Sequence, residues 1–182
     1  AVFEPPAGRV LVATADMLVE EIHFRRDWLS SRALGWKALA VNLSDIAAMG
    51  AEPHFALVCI AVDPPTTVEY VEGLYAGMQE IALRFGTRIA GGDTVRSRDG
   101  LVLSVTVAGS VEPECLATRA GARPGDVLVV TGTLGDSAAG CAALLAGPRA
   151  ADAVPPAVLE VHRLPQPRIA EARAAVLTGG VT

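Results

Sequence analysis

Apolar positions recur along this chain in two rhythms, and their order predicts the elements. Residues 9–14 (RVLVAT) are β-branched and apolar and predict a strand, and residues 17–24 (MLVEEIHF) read as a loop or a second short strand. Ser30 or Ser31 is a good N-cap for a helix running to Met49, with Gly50 as its stop. Residues 54–62 form an apolar run that reads as a buried strand. Asp63-Pro64-Pro65-Thr66 turns the chain, Thr66 or Thr67 caps a second helix to Phe85, and Gly86 closes it. A short strand over 88–90 runs into Gly91-Gly92-Asp93-Thr94, and after the turn Arg98-Asp99-Gly100 residues 101–111 alternate as a strand. The order β, β, α, β, α, β, β predicts an α/β fold with a layer of helices on a sheet.

The pattern resets near Glu112-Pro113-Glu114, which places a domain boundary near residue 112. The units are then 1–112 and 113–182, and the second is short for an independent core. Within it, the turn Arg123-Pro124-Gly125-Asp126 precedes a strand expected over 127–131. A Gly-rich stretch over 131–140 (TGTLGDSAAG) then opens a helix to Ala146. Residues 147–156 read as a Pro/Ala-rich loop, and Pro167 suits the first turn of a last helix. The ending Gly179-Gly180-Val181-Thr182 reads as the middle of a chain, so a longer polypeptide is expected.

Composition narrows the class. Apolar residues make up 51% and charged residues 19%, which excludes wholesale disorder. Aromatic residues are only 4%, so the packing must rely on Ala, Val and Leu. Lys+Arg is 15 against Asp+Glu 20, a net charge of −5 that argues against a nucleic-acid-binding face. The apolar run from Ala56 to Val62 is too short to span a bilayer, and no secretory signal pattern opens the sequence. Cys59, Cys115 and Cys141 are odd in number and widely spaced, fitting neither a disulfide framework nor a zinc motif; a reducing cytoplasm is the default. Cys59, inside an apolar strand, is expected in the core.

Four carboxylates stand where apolar neighbours make them awkward: Asp16, Asp45, Asp93 and Asp136. An isolated carboxylate in such surroundings costs several kcal/mol unless paired or bound to a cation. Asn42 and Asp45 are three apart and share a helix face. Each carboxylate also has a structural role open to it. Asp16 suits the end of a strand, Asp45 a bond to a neighbouring loop, Asp93 an Asx-turn and Asp136 a helix N-cap. Taken jointly, Asp16, Asp45 and Asp93 fit oxygen ligands of Mg²⁺ converging at strand ends. The 131–140 stretch lacks the Lys-Ser/Thr ending of a Walker loop and is not GxGxxG, so it is a tight turn into a helix. His23 lies beside Phe24 after Glu20-Glu21 and suits a loop role, while His54 and His162 look structural. No arrangement suggests a covalent nucleophile, which is compatible with phosphoryl transfer by positioning and charge neutralisation.

Taken together, residues 16–24 (DMLVEEIHF), 42–51 (NLSDIAAMGA) with Pro53, 91–94 (GGDT), 119–126 (RAGARPGD), 131–140 and His162-Arg163-Leu164-Pro165 with Pro167-Arg168 resemble the thiamine-monophosphate kinases. These belong to the PurM-like superfamily, with aminoimidazole ribonucleotide synthetase and selenophosphate synthetase. The resemblance implies a PurM-like N-terminal domain, a mixed sheet covered by helices, followed by part of a second α/β domain. It implies ATP-dependent phosphorylation of thiamine monophosphate with Mg²⁺, by direct transfer in a homodimer whose sheets form a shared barrel. It assigns Asp16, Asp45 and Asp93 to metal, His23 to contact with the thiamine phosphate substrate, and Gly92, Asp93, Arg119 and Tyr75 to the nucleotide. Ala15 stands where the family has Thr and Glu21 where it has Gly, and the family's Gly-Asp-Asp-Ala and later Asp-Gly motifs lie outside these residues. Another PurM-like ATP-dependent enzyme, or a non-catalytic dimerising module, are the alternative readings.

Overall fold

The computed structural model describes residues 2–4 and 6–181. The chain runs β1 (Val10–Val19), α1 (Ser31–Ala48), β2 (Glu52–Val62), α2 (Val68–Arg84), β3 (Arg88–Arg96) and β4 (Val102–Val111). It continues as α3 (Asp136–Leu145), α4 (Pro148–Ala153), α5 (Pro156–Arg163) and α6 (Ile169–Leu177). The four strands form one sheet in the order β1-β4-β2-β3. β4 is antiparallel to both β1 and β2, and β2 is parallel to β3. The sheet is mixed because β3 returns to β2 through the crossover helix α2, whereas β4 follows β3 through a tight turn but inserts between β1 and β2.

Alternation assigns the two faces of the sheet. Val105, Val107, Val58 and Ile60 point to the helices and are buried, whereas Leu11, Met17, Cys59 and Val95 lie on the uncovered face. α1 starts where Ser30 Oγ accepts the N–H of Ala33 at 3.2 Å, and Gly50 follows it at φ 69°. It is buried on most of its circumference, from Leu34 to Ala47, because it lies between the sheet, α2 and the C-terminal helices. Thr67 caps α2 through the N–H of Tyr70 at 3.2 Å. The two helices cross at small residues: a methyl on Gly35 would sit 1.9 Å from the carbonyl oxygen of Leu74, and one on Gly77 1.9 Å from that of Arg32. The C-terminal segment docks on α1 through Trp36 Nε1 to the Pro165 carbonyl at 2.9 Å, and Arg173 reaches the Gly50 carbonyl at 2.7 Å.

Several expectations are corrected. Residues 17–19 of the second segment continue the first strand as β1, which pairs with β4 over its whole length, and residues 20–24 turn away from it as a loop. β3 does not stop at Ala90 but runs through Gly91-Gly92-Asp93-Thr94, since the glycines pair with Leu57 and Val58. Residues 127–131 form no strand; Val127 to Val130 are exposed and have no strand partner among the described residues. Residues 147–156 hold α4, which Pro148 begins, and α5 follows from Pro156; both prolines supply a pre-set first turn. Pro167 precedes α6 by two residues rather than sitting in its first turn. Cys59 is exposed, because apolar composition does not tell which face of β2 a residue takes.

Gly77→Ala is expected to lower stability by about 2–3 kcal/mol, since neither backbone at the crossing has room to retreat. Urea unfolding measures it, and an unchanged midpoint would refute the close crossing.

Candidate active site

β1 and α1 together present a carboxylate pair. Thr14 and Asp16 are two apart on β1 and share its helix-covered face. Asn42, fully buried on α1, accepts the N–H of Asp16 at 3.1 Å through Oδ1 and donates Nδ2 to the Ala38 carbonyl at 3.0 Å. One turn on, Asp45 Oδ2 accepts from Thr14 Oγ1 at 2.7 Å. The strand and helix are thus locked in register by two polar contacts. Burial, and then the charge of Asp45, hold the Asp16 carboxyl above the usual carboxylate range, opposed by His23. Asp45 and Thr14 line a cleft of about 470 Å³ with Met49, Thr118 and Arg119, so the expected Arg119 joins them.

His23 follows β1 in a tight turn. Its Nδ1 accepts the N–H of Val19 at 3.0 Å, and its own N–H donates to the Val19 carbonyl at 2.8 Å. Because Nδ1 accepts, a neutral ring carries its proton on Nε2, turned away from the backbone. Glu21 before it has φ 63°, a left-handed conformation favouring glycine.

The other expected residues lie elsewhere. The sheet register runs Asp16–Val105–Val58–Gly92, so Gly92 is three strands from Asp16, roughly 14 Å at the usual strand spacing. Asp93 pairs with exposed Cys59 and belongs to the uncovered face; its Oδ1 accepts the N–H of Thr94 at 2.8 Å. Tyr75, on α2, is half-buried, and burial followed by the thiol of Cys59 pushes its phenol up. The expectation that Asp16, Asp45 and Asp93 converge in one hollow therefore does not hold within one chain, because β4 and β2 lie between the strands that carry Asp16 and Asp93. Among the described residues no three His, Cys, Asp or Glu side chains form a metal-holding group. Asp136 is the first residue of α3 rather than its cap, and accepts a bond from Thr133.

Asp16 and Asp45 still fit a hard divalent cation: two oxygen ligands whose mutual repulsion a cation would relieve, needing outside donors such as phosphate and water to complete its shell. The supporting roles of Thr14 and Asn42 escaped the sequence. The signal for Asn42 was its amide on a helix face that is otherwise apolar, where a buried polar group needs partners.

Residues 1–111 match the family model described as AIR synthase related protein, N-terminal domain, and the chain belongs to that family. It is similar to the thiamine-monophosphate kinase of Bacillus subtilis (strain 168), 38% identical over 175 residues, which cover 95% of this chain and 54% of that protein. It is also similar to a solved structure described as AaThiL complexed with AMPPCP and TMP, with a TM-score of 0.84 and 33% identity over 94% of this chain and 54% of that one. The thiamine-monophosphate kinase of Stenotrophomonas maltophilia K279a gives a TM-score of 0.85 at 32% identity, covering 97% and 56%. The chain spans about half the length of the curated relatives it matches.

The raised pKa of Asp16 has a stability consequence. Its contribution is fully present below the ordinary value of 3.8 and is lost as pH rises through the folded value, so at neutral pH the ionised pair strains the metal-free chain. Asp16→Asn is expected to raise the Tm of the metal-free chain at pH 7 and to abolish any further rise on adding MgCl₂. A lowered Tm in the metal-free variant would contradict the repulsion.

Proposed function

We propose that the protein to which this chain belongs catalyses ATP-dependent phosphorylation of thiamine monophosphate to the diphosphate. The observation that carries the reading is the Asp16–Asp45 pair, of which Asp45 lines a cleft with Arg119, within electrostatic reach of His23. The printed names of relatives over the same residues, and the AMPPCP and TMP held by the AaThiL structure, support it. Two polyanions must approach each other in such a reaction, and the residues divide that task. Mg²⁺, held by Asp16 and Asp45, would cancel phosphate charge. Asn42 and Thr14 keep the two carboxylates oriented. His23 offers Nε2–H to the substrate phosphate, and the guanidinium of Arg119 faces the nucleotide phosphates. No covalent nucleophile is involved.

The uncovered sheet face supports a homodimer, with a second copy shielding Leu11, Met17 and Val95. Gly92, Asp93 and Tyr75 lie on the β3 side of the sheet, and in this reading Asp93 meets nucleotide and metal near the subunit boundary rather than beside Asp16 of its own chain. We take 1–112 as the nucleotide and dimerisation unit and 113–182 as the start of a second; the end of β4 at Val111 supports the division. The three unpaired cysteines agree with a cytoplasmic setting.

A coupled ADP-release assay on the full polypeptide with thiamine monophosphate tests the activity, and absence of turnover would reject it. Asp45→Asn is expected to lower kcat by about 100-fold or more with the fold retained by circular dichroism. Leu11→Glu is expected to convert dimer to monomer in sedimentation velocity, and a persistent dimer would remove this face from the interface.

A further inference from the structure

Three loops meet at the end of the sheet where β1 and β2 finish and β4 begins. Glu20, at the end of β1, is fixed to Leu101 twice: its N–H donates to the Leu101 carbonyl at 3.0 Å, and its Oε2 accepts the Leu101 N–H at 2.8 Å. Arg26 then clamps the same carboxylate in a fork, Nε to Oε1 and Nη2 to Oε2, each 2.7 Å. Nη2 also reaches Asp63 Oδ1 at 2.6 Å, in the turn after β2, where Thr66 donates to the same oxygen. The guanidinium lies over the ring of Tyr70, 5.1 Å from its centroid, which ties in the first turn of α2. Side-chain exposure is 14% for Glu20, 24% for Arg26 and 9% for Asp63, so solvent screens these pairs poorly. Burial alone would raise the Asp63 carboxyl, yet the bonds from Thr66 and Arg26 hold it below the usual range.

The clamp closes a ring from Glu20 to Arg26, and His23 sits at its middle. Inside the ring, Glu21 donates its N–H to the Phe24 carbonyl at 2.8 Å, and Phe24 is 1% exposed, plugged into the core. Ile22 is 74% exposed and contributes no packing that would hold the turn. The turn is held locally by the bonds of Ile22 and His23 to Val19 and of Glu21 to Phe24, and is anchored to the rest of the fold by its two ends and the Phe24 plug. A lysine carries the same charge but has a single nitrogen, so it cannot fork onto Glu20 while reaching Asp63.

We propose that Arg26 is a positioning residue for substrate binding: by joining Glu20 to Asp63 it fixes the His23 turn in the geometry that receives the phosphate of the acceptor substrate. This rests on the reading of His23 as a substrate contact. The same clamp holds the β2–α2 turn and the β3–β4 turn as a common floor, so the acceptor side of the site is rigid independently of the cleft that carries Asp45 and Arg119.

The test compares Arg26→Lys, His23→Ala and the double variant in the full polypeptide, reading KM for thiamine monophosphate and for ATP separately, with the dissociation constant for thiamine monophosphate by calorimetry. Arg26→Lys is expected to raise KM and Kd for thiamine monophosphate about tenfold while KM for ATP stays within twofold, the size of effect typical of a residue that orients a ligand-binding group. In the His23→Ala background the same substitution is expected to add little, because its effect passes through His23. Equal rises in both KM values, or full additivity of the two substitutions, would overturn the positioning role. If His23→Ala leaves KM for thiamine monophosphate unchanged, the His23 reading fails and this inference falls with it. Should Arg26→Lys fold poorly, Glu20→Gln, which keeps an acceptor for Leu101 but removes the charge facing Arg26, carries the same comparison.

Discussion

Helix α1 is held on three sides, and the rest of the molecule depends on that constraint. One side packs on β1 and β4, another crosses α2 at Gly35 and Gly77 with no room for a methyl group, and a third receives the C-terminal helices through Trp36 and Lys37. A helix held from three directions cannot shift or rotate without breaking a close contact on at least one of them. That rigidity gives Asp45 and Asn42 fixed positions against β1. Hydroxyl and amide groups on α1 and β1 then need only short reaches to set the carboxylates. The same surroundings explain why α1 is built from Ala, Leu and Gly: small and medium side chains let three neighbours approach one axis.

The carboxylate pair works against this packing. Asp16 is pushed toward its neutral form by burial and by Asp45, a combination that folding alone would not favour. Elsewhere the chain handles its charges conventionally. Arg9 and Arg173 join Glu52 and Glu112 at the start of β2 and the end of β4, and Arg26 joins Glu20 to Asp63. Against that background, a pair of like charges without such a partner is the anomaly that marks a functional site. The strain is tolerable because the surrounding core, from Leu39 and Leu43 to Val105 and Val107, is buried and well packed.

How much of this was legible in the sequence follows from what each signal encodes. Caps are local, so Ser30 and Thr67 were readable, as were the helices they start. Periodicity is local too, and β4 was readable from its alternation. Strand order is not local: nothing in the residues between β3 and β4 tells that β4 inserts between β1 and β2, and that insertion separates Asp93 from Asp16. Asp16, Asp45 and Asp93 could be read as a group, but which of them meet depends on the α1–β1 register and on the strand order. The Val127–Val130 run has the right composition for a strand, yet a strand exists only with a hydrogen-bonded neighbour, and the described residues provide none. Cys59 failed for a related reason, since a sheet covered on one face gives apolar residues two different environments.

The two departures from the family pattern have different physical weights. Ala15, where the resemblance implies a threonine, is exposed and points to the uncovered face. The hydroxyl that reaches Asp45 comes from Thr14, so the loss at position 15 does not touch the carboxylate pair. Glu21, where the resemblance implies a glycine, sits at φ 63°, which costs a side-chain-bearing residue about 1 kcal/mol. Its carboxylate pairs with Arg25 at 2.8 Å, but both side chains are largely exposed, so the pair offsets at most part of that cost. The turn is nonetheless held in the left-handed form because Phe24 is anchored in the core and Glu20 at the strand end. The conformation carrying His23 is thus imposed by its anchored ends and its own hydrogen bonds, so a residue other than glycine can stand at its bend.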